Sequence, residues 1–419
     1  MLDKTLIKNI TSLFSIKIAS FLIPLVTLPY LVRVLEPVGY GQLGFAIAII
    51  NYFVILVNYG FDLSATQKIA QCNNDTAKIS KIFWNITFVR VFAAIIGAGL
   101  LYLSTVISTD LYNIRDLLFF CYITVIGIAL YPQWLFQGKE QLGLISSSQI
   151  VFQVLNIPLL FLFVNVKEDA GKAALISSLP TLLTFFYSVY LIKKRSWVEW
   201  CKPSINCMVR ELKDGWHLFI SSAAISIYTT SIIVVLGFVS GPESVAIYVA
   251  ANRLLKAALG IYTPISAAYY PRINTLMKES KSKAIESIKY LMKMQFILTL
   301  MISASLLFFS PFVIPLLFGE QYKQSIFILQ LLSCLPIVVG LSNIFGVQVL
   351  ISFGFKEEFS KVLIFVGFLS LLFLFPLCYY FSTIGAAIAA ILSELIVTIL
   401  MLWVVIEKRI PLFNFIRKA

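Results

Sequence analysis

The chain has 419 residues, of which 59% are hydrophobic and 13% charged, and its mean hydropathy is +0.91. Soluble domains carry about 25% charged residues, so this composition excludes a water-soluble globular protein and predicts one that crosses a membrane many times. The formal net charge of +13 argues against nucleic-acid binding once its distribution is considered, because the basic residues are scattered over short segments and form no domain.

A bilayer core about 30 Å thick takes about 20 helical residues to cross. Apolar runs separated by charge or turn signals predict twelve spans, at 10–32, 41–60, 83–106, 115–136, 144–164, 172–192, 216–238, 244–268, 290–317, 326–352, 362–381 and 384–406. The first run contains Lys17 and Pro24 and is followed by no small-residue cleavage site, so it is expected to be a span and not a removable signal. Pro24 and Pro29 predict a broken helix there, tolerated in a membrane where a cavity or a neighbouring helix satisfies the freed carbonyls. Arg33, Glu36 and Pro37 predict a tight turn at the membrane surface.

The alternating segments divide the 33 Lys and Arg unevenly. One set of segments holds 24 and the other five, Arg33, Arg115, Lys167, Lys172 and Lys323. Cytoplasmic loops are the ones enriched in Lys and Arg, so both termini are expected in the cytoplasm. Basic residues so placed are also contacts for anionic membrane lipids. The longest charged interruption, KKRSWVEWCKPSINCMVRELKDG at 193–215, has six predicted spans on either side. The expected organisation is therefore a six-helix lobe at 1–192, a cytoplasmic linker at 193–215 and a second six-helix lobe at 216–419 with a basic tail. The lobes echo each other: Pro37 is followed by Gly41, Leu43 and Ala46, and Pro242 at the same offsets by Ala246, Tyr248 and Ala251. Repeated lobes of this kind mark secondary transporters, whose substrate site lies where the repeats meet. The six cysteines show no metal-ligand spacing.

Four basic residues remain inside predicted spans: Lys17, Arg90, Arg253 and Lys256. Each costs about 2.5–3.5 kcal/mol on insertion scales, and such residues face a cavity or a partner. Lys17 and Arg90 can also snorkel to the membrane surface from their positions near span ends. Arg253 and Lys256 lie near mid-span and share a face with Asn252, Gly260 and Thr263, which favours a cavity. Arg holds phosphates by paired hydrogen bonds and stays charged when dehydrated, so a cationic cavity suggests an anionic substrate, a phosphate ester. Asn51 and Asn58, seven residues apart, share a face suited to sugar hydroxyls or to interhelical hydrogen bonds. Acids within spans are scarcer. Glu394, and Asp62 at the end of the second span, are candidates either for coupling transport to protons or sodium or for neutralising an embedded cation. No metal cluster, nucleophile motif or phosphate-cradling glycine loop is present, which points away from an enzyme. A membrane glycosyltransferase or polysaccharide polymerase is the competing class, but the outer turns are short and the largest inner loop lacks paired carboxylates.

Four stretches resemble one family, in its order along the chain. IPLVTLPYLVRVLEPVGYG at Ile23–Gly41 resembles the start of the O-antigen flippases, the Wzx-type polysaccharide transporters. NYGFDLSATQKIA at Asn58–Ala70, YPQWLFQGKEQ at Tyr131–Gln141 and LFGEQYKQS at Leu317–Ser325 resemble later segments. The resemblance implies twelve helices in two lobes around a central cavity, in a superfamily shared with multidrug and toxin extrusion transporters and lipid II flippases. It implies a bacterial inner-membrane protein that moves an undecaprenyl-diphosphate-linked oligosaccharide from the inner to the outer leaflet by alternating access, for O-antigen or capsule synthesis. It further implies a monomer without cofactors, working beside a polysaccharide polymerase and chain-length machinery, with Arg90, Arg253, Lys256 and Lys17 as candidates for the diphosphate. A multidrug or other small-solute exporter of the same superfamily is the alternative.

Overall fold

The computed structural model describes residues 4–72 and 75–412, and side chains from Ile23 onward except those of a few single residues. Among the described residues every regular element is helical. In chain order they are α1 (Lys4–Asn58), α2 (Phe61–Gln71), α3 (Thr76–Ile107), the short α4 (Thr109–Asn113), α5 (Arg115–Leu130), α6 (Gln133–Gly138), α7 (Gly143–Phe163), α8 (Ala170–Lys194), α9 (Ile205–Glu279), α10 (Lys281–Phe318), α11 (Gln324–Leu332), α12 (Leu335–Asn343) and α13 (Lys356–Glu407). A π-helical stretch, Ile344–Ile351, continues α12.

Nine helical stretches among the described residues are long and apolar enough to cross a membrane. Many of their large apolar side chains point away from the protein, among them Ile107, Phe312 and Leu372, which are 84%, 73% and 75% exposed. An apolar outer surface on this scale fits hydrocarbon and not water.

Three of the helices are interrupted by a single residue. Glu36 breaks α1 with φ 57° and ψ 174°, Gly241 breaks α9 with φ 79° and ψ 178°, and Ser382 breaks α13 with φ 47° and ψ −123°. The first two breaks directly precede Pro37 and Pro242. The proline ring clashes with helical backbone at the preceding residue, so these prolines place the interruptions. The expected break at Pro24 and Pro29 is not observed: Glu36 is the one non-helical residue within α1.

The arms of α13 lie against each other across Ser382. A methyl group on Gly385 would overlap the Leu377 carbonyl oxygen, which is backbone and cannot rotate away. Gly385→Ala is expected to cost at least about 1–3 kcal/mol, the usual range for overpacking. The check is the melting midpoint of detergent-solubilised protein by size-exclusion chromatography, and an unchanged midpoint would show that the arms part freely.

The chain divides into two compact units, residues 1–223 and 224–419. In the first, Phe61, Ala65 and Ile69 of α2 pack with Trp134, Leu135 and Phe136 of α6, all of them buried. In the second, Phe345, Val349 and Leu350 of the π-helical stretch pack with Val362, Val366, Met401 and Val405 of α13. Gln348, fully buried there, donates to both the carbonyl and the hydroxyl oxygen of Ser266 at 2.9 Å, and the Ser266 hydroxyl donates to Asn343 at 2.5 Å. These bonds tie α9 to the widened turn.

Residues 195–204 contain no helix but follow α3 closely. The Trp84 indole donates to the Glu199 carbonyl at 2.9 Å, the Glu199 N–H to the Ser80 hydroxyl at 2.8 Å, and the Ser204 N–H to the Asn85 side chain at 2.9 Å. Lys68 then holds the opening turns of α9 through Glu211 and Asp214, at 2.7 and 2.6 Å.

Candidate functional site

In the first unit the embedded cation is a structural hub. α3 starts at a capped end, where the Asp75 carboxylate accepts the Lys78 N–H, and it carries Arg90 into the interior at 3% exposure. There α5 ends, leaving its last carbonyls without intrahelical donors. The Arg90 guanidinium donates to Ile128 O at 2.6 Å, to Tyr131 O at 3.2 Å and to Asn58 Oδ1 at 3.0 Å. The half-buried Asp62 carboxylate, in the first turn of α2, lies close enough to interact with it electrostatically. A planar fork that never loses its charge suits several carbonyls at one helix end. Arg90 thus joins the two stretches that begin at Asn58 and Tyr131. Asn58 is engaged by Arg90, whereas Asn51 is exposed. The side chain of Lys17 lies outside the described residues.

The second unit holds a partly open cavity of about 100 Å³, its wall mostly apolar with a few polar side chains set into it. Tyr228 and Thr229 reach it from the arm of α9 before Gly241, and Tyr248, Asn252 and Lys256 from the arm after it. Glu394 of α13 closes one side. The Tyr228 hydroxyl donates to the Glu394 carboxylate, and Thr398 donates to the Glu394 carbonyl at 2.8 Å and to Val338 O at 3.2 Å. Arg253 and Lys256 are both exposed, and they lie near enough for their charges to repel. Among the described residues no carboxylate comes within ion-pair distance of either, the ion pairs being made elsewhere. Lys256 and Glu394 therefore line one cavity without being paired.

The sequence reading missed Tyr228 and Tyr248. Tyr228 lies beside the polar stripe Ser222, Ser226 and Thr229, and Tyr248 occupies the place that Leu43 holds in the first repeat. A polar-tipped ring where the other copy has leucine is a signal that could have been read.

Residues 6–277 match the family model described as polysaccharide biosynthesis protein. A protein of Escherichia coli (strain K12) named "Putative O-antigen transporter" is 36% identical over 404 residues, covering 96% of this chain and 97% of its own length. A Staphylococcus aureus relative, capsular polysaccharide biosynthesis protein CapF, is 24% identical over 94% of this chain and 98% of its own. Among solved structures, an inward-facing multidrug resistance MATE family transporter of the MOP superfamily superposes with a TM-score of 0.77 at 16% identity. That match covers 95% of this chain and 96% of the transporter. The lipid II flippase MurJ, in an inward closed conformation, gives 0.76 at 14% identity, covering 94% of this chain and 86% of its own. At such identities these two likenesses establish the fold.

Proposed function

This chain belongs to the polysaccharide biosynthesis protein family, and we propose that it carries an undecaprenyl-diphosphate-linked oligosaccharide from the cytoplasmic to the periplasmic leaflet of a bacterial inner membrane. It is a multi-pass membrane transporter of O-antigen type with the MOP-superfamily fold, and not an enzyme. The observation that carries the choice of substrate is the pair Arg253 and Lys256, two exposed cations without an acidic partner among the described residues, on a helix arm of membrane-spanning hydropathy. Cations are costly in hydrocarbon and are kept there for a task, and a diphosphate supplies the countercharge that the described residues do not. The lipid tail of such a substrate stays in the bilayer while its head is handled by protein.

The reading includes twelve spans, each helix interrupted at Glu36, Gly241 or Ser382 being taken as two, with both termini cytoplasmic because Lys and Arg favour that side. Transport follows alternating access, as in other transporters built from repeats. The test is expression in a strain lacking its own O-antigen flippase: surface glycan is expected to return. Failure to restore glycan, combined with newly acquired drug resistance, would assign the chain to extrusion instead.

Ion coupling is proposed at Glu394, with Asp62 as the second candidate. Glu394→Gln is expected to reach the membrane and to flatten the dependence of transport on a proton or sodium gradient, measured in energised vesicles. If the variant keeps the wild-type rate at every gradient, Glu394 serves only to hold Tyr228.

A further inference from the structure

A second charged recess lies in the first unit, away from the embedded cations. α2, the start of α3 and the opening turns of α9 enclose a groove of about 430 Å³ lined by Lys68, Lys78, Lys81, Arg210, Asn85 and Glu211. Its cations are unequally engaged. Lys68 is neutralised by Glu211 and Asp214, and Lys78 pairs with Asp75 at 3.2 Å. Lys81 of α3 and Arg210 of α9 both line the groove with no carboxylate in ion-pair reach among the described residues.

Both walls are fixed. Asn85, 2% exposed, donates to the Lys81 carbonyl at 2.7 Å and accepts the Ser204 N–H, so it holds the turn bearing Lys81 against the chain that leads to Arg210. Lys68 anchors the same stretch of α9 one residue beyond Arg210. Two cations without an acidic partner among the described residues, lining one groove, offer an anion countercharge from both. An ammonium and a guanidinium together match the oxygens of a phosphate group.

We infer that this groove is a binding site for a phosphate-bearing anion, gripped by Lys81 and Arg210. The ligand chemistry is shared by the phosphodiester headgroup of an anionic lipid and by free polyphosphates. The inference is independent of the transport reading and stands or falls without it.

Two native cysteines, Cys72 and Cys207, line the groove and report on its occupancy. The experiment uses the full chain in nanodiscs and measures N-ethylmaleimide labelling of Cys72 and Cys207 by peptide mass spectrometry. Cys201, which does not line the groove, serves as the control. Replacing phosphatidylcholine by phosphatidylglycerol, or adding inorganic pyrophosphate to phosphatidylcholine discs, is expected to slow labelling of the two groove cysteines about tenfold and to spare Cys201. Protection by phosphatidylglycerol alone assigns the site to a membrane headgroup, and protection by pyrophosphate as well extends it to soluble phosphates. Lys81→Gln with Arg210→Gln is expected to abolish protection, and Lys81→Arg with Arg210→Lys to restore it. Should the double neutralisation fold poorly, Arg210→Gln alone, at an exposed position, gives the same reading at lower amplitude. Absence of protection in both arms, or equal protection in the neutralised variant, overturns the inference.

Discussion

Arg90→Ala is expected to destabilise the fold severely, with a loss of about 3–5 kcal/mol. That is the usual cost of removing one member of a buried charged cluster, and a large share of the roughly 5–15 kcal/mol that holds a domain together. The reason is local. Ile128 O and Tyr131 O would lose their donor at the end of α5, and Asn58 would lose its partner, in a buried to half-buried part of the first unit. Hydrogen bonds from a charged donor are worth about 1.5–3 kcal/mol each. Arg90→Lys keeps the charge but not the fork, so it is expected to fall between alanine and wild type. The measurement is the melting midpoint and the monodisperse fraction in detergent. A wild-type midpoint accompanied by lost transport would place the guanidinium on the substrate rather than on the framework.

Arg253→Gln combined with Lys256→Gln is expected to do the reverse, sparing the fold and abolishing function. Both side chains are exposed and lack acidic partners among the described residues, so their removal leaves no buried group unsatisfied. If each contributes one charge-assisted contact to a diphosphate, losing both costs about 3–6 kcal/mol of binding, a drop of more than a hundredfold. Surface glycan in a flippase-deficient strain, set against the amount of protein in the membrane, reads this out. Normal glycan in the double variant would remove these residues from the substrate site. The two experiments together separate an embedded cation that builds the protein from a pair that works on cargo.

The contrast between them also shows what the amino-acid order makes legible. Helical spans and their interruptions follow from local chemistry. Pro37 and Pro242 mark two breaks, and the short gap between the runs ending at 381 and starting at 384 contains the third, at Ser382, though no proline follows it. Pro24 and Pro29 show the limit of the same rule, since the chain passes both as helix. Arg90, Arg253 and Lys256 stand out as charges in apolar runs, but their neighbours do not. That Arg90 meets Ile128 and Tyr131 depends on where α5 stops relative to α3, and that Tyr228 meets Glu394 depends on how α9 packs with α13. Contacts between segments tens to hundreds of residues apart leave no periodic trace in either one. The segment 193–215 reads as a charged spacer because its composition is polar. Its attachment to Ser80, Trp84 and Asn85 runs mainly through backbone groups, which every residue carries.

That attachment constrains the order in which the protein is made. A nascent chain ending at Lys194 already contains every helix of the first unit up to α8, yet Lys68, Ser80, Trp84 and Asn85 still await partners that have not been synthesised. Tyr59, whose ring stacks on Phe219 at 4.5 Å, waits longest. Domains generally fold as units while the chain grows. Here the first unit closes only when the beginning of α9 has left the ribosome, so its last staple arrives on the same helix that opens the second unit.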